Sequence, residues 1–276
     1  MSNVPFNMDI NELEEMALRC RINIIKMIHK AQSGHPGGSL SAIDMIVGLY
    51  GTELNINPLE PDWEDRDRFI MSKGHASPAI YSILYELGFI QEADFMSFRS
   101  LGSKCQGHVD MKWTEGVDFS AGSLGMGLSF GLGCSFAAKL DNSNRNIWVM
   151  VGDGETQEGQ LWEAIMAANY HSTDNLKLIV DRNGIQNDDF VSRQMEVGDL
   201  RLKIQSFGWE VIEIDGHNMY EISDAIKWAN KSNGKPMAII ANTIKGKGIS
   251  YMENNPSFHG KAPNDKEYNI AMEELS

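Results

Sequence analysis

Basic charge is what this sequence has little of: 24 Lys and Arg stand against 38 Asp and Glu, a formal charge of −14. That surplus argues against nucleic acid or an anionic membrane as the main partner, while leaving room for a local basic pocket. Cysteine is equally scarce. Cys20, Cys105 and Cys134 are odd in number, widely separated and without a Cys-x-x-Cys, which excludes a disulfide framework and leads us to expect reduced thiols in the cytoplasm. With no HExxH and no compact Cys/His set, zinc is not expected. The first fifteen residues contain no Lys or Arg, so the basic start of a leader peptide is missing from them. Long apolar runs are missing too. The stretch that most needs checking, Ala121 to Ala138, is uncharged for 18 residues but carries five glycines and three serines. That composition predicts a Gly-rich loop running into a tightly packed helix rather than a membrane span. No repeat, low-complexity tract or obvious linker divides the chain, so a single domain over residues 1–276 is expected.

What is present is enough for a sizeable core, with 42% apolar residues. Asp9 is a plausible cap for a first helix whose apolar positions run from Leu13 to Ile28. Ser33-Gly34-His35-Pro36-Gly37-Gly38 should stop it, and a second helix is expected over about Ser41 to Tyr50, giving a helical segment over about 9–50. Arg68-Phe69-Ile70-Met71 reads as a short strand, followed by a helix opening at Ser77-Pro78. Further strands are predicted at Ile147–Val151, Leu176–Asp181, Glu210–Ile214 and Met237–Ala241. Helices fall between them at about Leu161–Tyr170, Gln194–Phe207 and Met219–Ala229, the last with Asn218 and Glu221 spaced as a capping box. Such alternation over about 67–245 predicts an α/β fold, an open and mostly parallel sheet with helices on both faces. The remainder, about 246–276, is expected to be an irregular tail.

The sharpest chemical signal is Val149-Met-Val-Gly152-Asp153-Gly154-Glu155, an apolar strand running directly into Gly-Asp-Gly. Ligands of open parallel sheets bind at the carboxyl ends of strands, so Asp153 is aimed into the right crevice. The next strand ends at Asp181-Arg182-Asn183-Gly184-Ile185, with Asn183 thirty residues beyond Asp153, about one βαβ unit. Adjacent parallel strands would bring the two to one rim. A carboxylate, an amide oxygen and a nearby backbone carbonyl make a hard-oxygen set suited to Mg²⁺ or Ca²⁺, completed by phosphate oxygens and water. Gly125-x-Gly127-x-x-x-Gly131 does not follow a predicted strand, which weakens a dinucleotide reading.

Beyond the Gly-Asp-Gly and Asn pair, several blocks resemble the thiamine-diphosphate-binding part of transketolases, and they occur in that family's order. They are Ser33–Gly38, Asp67–Ala76 with its Ser72-Lys73-Gly74-His75 core, Gly107-His108-Val109-Asp110, and the Gly-rich Ala121–Leu128. Gly154–Ala164, with Glu158, Trp162 and Glu163, and then Thr243–Gly248 and Phe258-His259-Gly260 complete the series from residue 33 to 260. Val109 stands where the family usually has Pro, and Arg182 where many relatives carry an acidic or amide residue. The resemblance implies a thiamine-diphosphate- and Mg²⁺-dependent transferase of two-carbon ketol units between sugar phosphates. It implies that Asp153, Asn183 and the Ile185 carbonyl hold the metal. Gly122, Ser123, Leu124, Gly154, Glu155, Asn183, His75, Lys245 and His259 would bind the cofactor, and His35, His75, His108 and His259 would serve catalysis. Glu158 and Glu163 are expected at a subunit interface. The family carries two further domains after this one, so the expected partner is a second, C-terminal subunit with the pyrimidine-binding domain, in a heterotetramer of two plus two chains. Competing readings are the α subunit of a 2-oxo-acid dehydrogenase first component, a non-catalytic partner-binding paralogue and a NAD-dependent oxidoreductase. The first should not carry the Ser33–Gly38 and Ser72–Ala76 blocks together. His217 is read as part of a turn, and His29 and His171 as ordinary helix residues.

Overall fold

The computed structural model describes residues 6–187, 189–231 and 234–276. Among them five strands, β1 (Arg68–Met71), β2 (Ile147–Gly152), β3 (Leu176–Arg182), β4 (Glu210–Asp215) and β5 (Met237–Asn242), form one sheet in the order β1-β2-β3-β5-β4. Every pairing is parallel. The helices are α1 (Ile10–Ala31), α2 (Pro36–Thr52), α3 (Ser77–Glu86), α4 (Glu92–Met96), α5 (Met126–Leu140), α6 (Gly159–Tyr170), α7 (Val191–Gln194), α8 (Leu200–Ser206), α9 (Met219–Asn230) and α10 (Asp265–Glu274).

Period-two alternation along the strands divides the core into two layers. Trp148, Met150, Ile179 and Ile239 face a layer with α1, α2, α3 and α9. Ile147, Val149, Val151, Leu178, Val180 and Ile240 face the layer of α5, α6 and α8. Both faces are covered, as parallel strands require. The small stripe Gly127, Gly131 and Ser135 is a packing device. A Cβ on Gly131 would come within 2.5 Å of Val149, and one on Gly127 within 2.4 Å of Ser72. No helix among the described residues is long and apolar enough to cross a membrane.

Three boundaries differ from expectation. Pro36 is the first residue of α2, with Gly37 and Gly38 inside its opening turn; proline is tolerated there because that N–H has no helical partner. The helix expected over Gln194–Phe207 is broken at Met195, and it restarts after Gly198 (φ 66°) with Asp199 capping Leu202. The end of the chain is not irregular: α10 opens on a full capping box between Asn264 and Glu267 and packs against α1.

The register places the site. Gly152 pairs with Asp181, and Arg182 with Asn242, so β2, β3 and β5 end together. The residues that follow them converge on one rim.

Candidate active site at the carboxyl edge of the sheet

A cavity of ≈ 470 Å³ opens at that rim. His75 and Lys73 reach it from the turn after β1, Asp153 to Glu155 from the end of β2, Asn183 and Ile185 from the end of β3, and Lys245 from the loop after β5. His35, just before α2, and His108, His259, Gly122 and Leu124 from loops complete the expected lining, and Glu158, expected at a subunit interface, lies on its edge as well. One expected cofactor residue lies elsewhere: Ser123 faces a second hollow with Met126 and Phe130. Glu163, expected at a subunit interface, is exposed on the outside of α6.

The acidic end is built on backbone donors. Asp153 is buried and accepts from Gly184 N at 2.6 Å and Gly154 N at 2.8 Å. Burial pushes its carboxyl up to about 6, aided by neighbouring Asp181 and opposed by the two amides and by Lys73. Asn183 Oδ1 accepts from Ile185 N at 3.1 Å, and its Nδ2 donates to Ser41 Oγ at 3.2 Å. The Ile185 carbonyl accepts from Lys245 Nζ at 2.9 Å. Arg182, one residue earlier, turns away to pair with Glu213 at 2.8 Å.

Two buried lysines stand opposite. Lys73 pairs with Asp181 and donates to Gly38 O at 3.0 Å. Asp181 also accepts from Ser41 and Thr243, so one carboxylate ties β3 to α2 and to the loop after β5. Lys245 lies 2.6 Å from His259 Nδ1. Burial, and then Lys73, lower its ammonium to about 7. A buried cation so weakly held is a natural place for an anion.

The histidines form one cluster. His35 lies with its ring centre 5.1 Å from His75, 5.4 Å from His259 and 6.4 Å from His108. Burial lowers His35 to about 4, with Arg99 the next cause, and lowers His259 to about 3, with Lys245 next. His75 falls well below its ordinary value by burial and Lys73, and His108 falls by burial and Arg99. All four are therefore neutral imidazoles near pH 7, each able to donate from one nitrogen and accept at the other. Val109 in place of the family's Pro leaves His108 on the cavity; the Val109 amide donates to Gly74 O at 3.3 Å.

Glu155 lines the cavity as expected, but its oxygens are already engaged within the protein. Its oxygens accept from Ser72, from Gly125 N at 2.8 Å and from Gly152 N at 3.1 Å, so it braces three loops from beneath. Lys73, Gln157, Gln186 and Asn187 line the cavity without having been singled out. For Lys73 the signal was available, since a lysine beside Gly-His at a strand end is placed for an anion.

The residues present suit the group that the resemblance implies. A desolvated carboxylate that resists ionisation welcomes a cation, and two buried lysines welcome phosphate oxygens. Gly154 keeps the floor low, since a Cβ there would lie 2.8 Å from Gln186, and a Cβ on Gly122 would meet nothing within 4 Å.

Fold and cavity together define a thiamine-diphosphate-binding domain. The family model described as "Transketolase, thiamine diphosphate binding domain" matches residues 13–275, and the chain belongs to that family. It is 36% identical over 269 residues to one subunit of the apulose-4-phosphate transketolase of Phocaeicola vulgatus, covering 98% of this chain and 95% of that one. It is 37% identical over 264 residues to one subunit of the 6-deoxy-6-sulfo-D-fructose transketolase of a Clostridium species, covering 96% of each. Transketolase of Campylobacter jejuni superposes with a TM-score of 0.92 at 35% identity, over 97% of this chain but 43% of that longer one. The chain is thus homologous over nearly its whole length to subunits of split transketolases, and spans about two fifths of the undivided enzymes.

Proposed function

We propose that the chain is the diphosphate-binding subunit of a two-chain transketolase, moving a two-carbon ketol unit between sugar phosphates with thiamine diphosphate and a divalent cation. The observation that carries this reading is the convergence of Asp153, Asn183 and Lys245 at the ends of three adjacent strands, facing four clustered histidines. Asp153, the Asn183 amide oxygen and the Ile185 carbonyl would hold the cation, Mg²⁺ first and Ca²⁺ second, as hard oxygens do. Lys245 and Lys73 would neutralise diphosphate charge as point cations. Gly154 and the Gly122–Leu124 turn let backbone approach closely. When bound, the cofactor supplies the electron sink for breaking and making the carbon–carbon bond. His35, His75, His108 and His259 orient the sugar hydroxyl and carbonyl groups and hold or move protons at their oxygens.

That relatives of this length are named as transketolase subunits supports a partner, which we take to be a C-terminal subunit with the pyrimidine-binding domain, two of each chain forming a heterotetramer. The outer faces of α5 and α6 suit that contact. Met126 and Phe130 on α5 and Met166 and Tyr170 on α6 are exposed, at 44%, 36%, 57% and 81%. Glu158 and Glu163 lie exposed beside them. The two relatives' names carry sugars with an anionic group, phosphate or sulfonate, and we take the substrates of this chain to be of that class. Cytoplasmic work is consistent with Cys20, Cys105 and Cys134 all being unpaired.

The test is reconstitution. The purified chain, its complementary thiamine-enzyme half, thiamine diphosphate and Mg²⁺ should transfer a two-carbon unit from a ketose phosphate to an aldose phosphate. Neither half alone should do so. An assembled pair that transfers nothing across a panel of such sugars overturns the reading.

A further inference from the structure

Behind the cavity, on the far side of the loop that carries Lys245, lies a chain of polar groups that the reaction does not use. Asp44 sits in the middle of α2, whose other residues are almost all apolar and buried. Its Oδ2 accepts from Arg21 of α1 at 2.5 Å and from His217 Nδ1 at 2.6 Å. Burial alone would push this carboxyl up, but the Arg21 guanidinium and the His217 bond hold it below the ordinary carboxylate range. On its other side, His217 Nε2 accepts the backbone N–H of Ile244 at 2.8 Å. Arg21 reaches the same loop, donating through Nε to Lys247 O at 3.4 Å.

These contacts settle the state of the ring. An amide N–H can donate only to a nitrogen without a proton, so Nε2 is bare and the proton sits on Nδ1, where Asp44 accepts it. A ring with the proton on Nε2 would oppose the Ile244 amide and place a bare Nδ1 against a carboxylate. Asp44 therefore selects the tautomer, and the tautomer gives the Ile244 amide its partner. Ile244 directly precedes Lys245, whose ammonium reaches Ile185 O and His259 Nδ1 within the cavity.

We propose that His217, oriented by Asp44 and Arg21, is a positioning residue that sets the backbone at Ile244 and so aims Lys245 at the cofactor's diphosphate. The proposal rests on the reading of this cavity as a diphosphate site. Its physical basis is the one by which partners behind a ligating group govern that group's geometry, where removal typically weakens binding about 10–100-fold.

Two substitutions separate the two nitrogens. His217→Asn puts an amide N–H near the Nδ1 position, keeping Asp44 partnered while leaving the Ile244 amide without an acceptor. His217→Gln puts an oxygen near the Nε2 position, keeping the Ile244 acceptor while giving up the bond to Asp44. Calorimetric titration of thiamine diphosphate with Mg²⁺ into the assembled two-subunit enzyme should show affinity about tenfold weaker for H217N, and within about twofold of the unsubstituted enzyme for H217Q. Long-range ¹H–¹⁵N spectra of the unsubstituted chain should report the Nδ1–H tautomer of His217. Equal losses in both variants, full affinity in H217N, or an Nε2–H tautomer each overturn the proposal. If H217N does not fold, loss of affinity in H217Q overturns it and retention together with the Nδ1–H tautomer supports it. An unsubstituted complex that binds no thiamine diphosphate overturns the diphosphate reading and the aiming role with it, whereas the tautomer result tests the relay on its own.

Discussion

A buried carboxylate whose hydrogen-bond donors are backbone amides alone is a burden to the free protein, and Asp153 is such a group. Its carboxyl, pushed up to about 6, stands above the unfolded value of about 3.9. The sign follows. Above pH 6 the folded chain must keep a charge that its surroundings resist, so the group destabilises there, and the penalty fades as pH falls through 6 towards the unfolded value. Asp153→Asn removes that charge, a gain of about 2–3 kcal/mol at pH 7 and almost none at pH 4. Its NH2, however, cannot accept from the second backbone amide, a cost of about 1–3 kcal/mol at either pH. The expected signature is a metal-free chain whose stability relative to the unsubstituted one rises by about 2–3 kcal/mol between pH 4 and pH 7. The same substitution should abolish metal-dependent cofactor binding. Urea unfolding at the two pH values, with calorimetry on the assembled enzyme, checks both. A variant whose relative stability does not rise between the two pH values, yet which binds normally, would show that Asp153 is a turn former. Asp153 and Asn183 were legible in the sequence because matched strand ends one unit apart constrain where side chains must go. Glu155 was legible only in part. Its motif neighbourhood placed it at the cavity, which it lines, but nothing local revealed that Ser72 and Gly125, far away in sequence, would occupy its oxygens.

Elements meet at the active edge through such shared carboxylates. Glu155 joins the turn after β1, the end of β2 and the start of α5. Glu155→Ala would leave two backbone amides and a hydroxyl buried without an acceptor, at about 1–3 kcal/mol each. A loss of at least about 3 kcal/mol is expected in urea unfolding, against a much smaller one for Glu155→Gln, which keeps an acceptor. A loss below about 0.5 kcal/mol for the alanine variant would mean that the loops do not depend on this brace. Strands were the most legible elements, since burial on both faces turns each into a short, nearly continuous apolar run. Helix ends were less so. Pro36-Gly37-Gly38 looked like a breaker, but it opens α2 because the loop after β5 packs against it: a Cβ on Gly37 would lie 3.0 Å from Lys245 and from Phe258 O. The last helix was missed although Asn264 and Glu267 carry the spacing that marked Asn218 and Glu221, because the polar, Pro- and Gly-bearing stretch before it masks the helical pattern.

For the whole molecule the open question is what meets the outer face of α5 and α6. Gly133 gives a way to ask. It lies on the stripe Met126, Phe130, Gly133 and Ala137, at the four- and three-residue steps of one helix face, and it is exposed. Its backbone is helical, not left-handed, so no turn requires glycine. A Cβ there would meet nothing within 4 Å, so no neighbour in this chain requires it either, unlike Gly127 and Gly131 on the inner face. Glycine in the middle of a helix is unfavourable by about 0.5–1 kcal/mol relative to alanine, and here it leaves open space over the exposed helix face that suits close approach from outside. Gly133→Leu should therefore leave the isolated chain as stable or up to about 1 kcal/mol more so. In the same variant the side chain would intrude on the partner subunit, so association should weaken at least about tenfold, as an overpacked interior loses about 1–3 kcal/mol. Ketol transfer in the reconstituted mixture should fall with it and recover as subunit concentration is raised. Thermal melting of the lone chain and sedimentation of the mixture measure the two halves of this expectation. Unchanged association would place the partner on another face, and the exposed apolar residues of α5 and α6 would then need a different occupant.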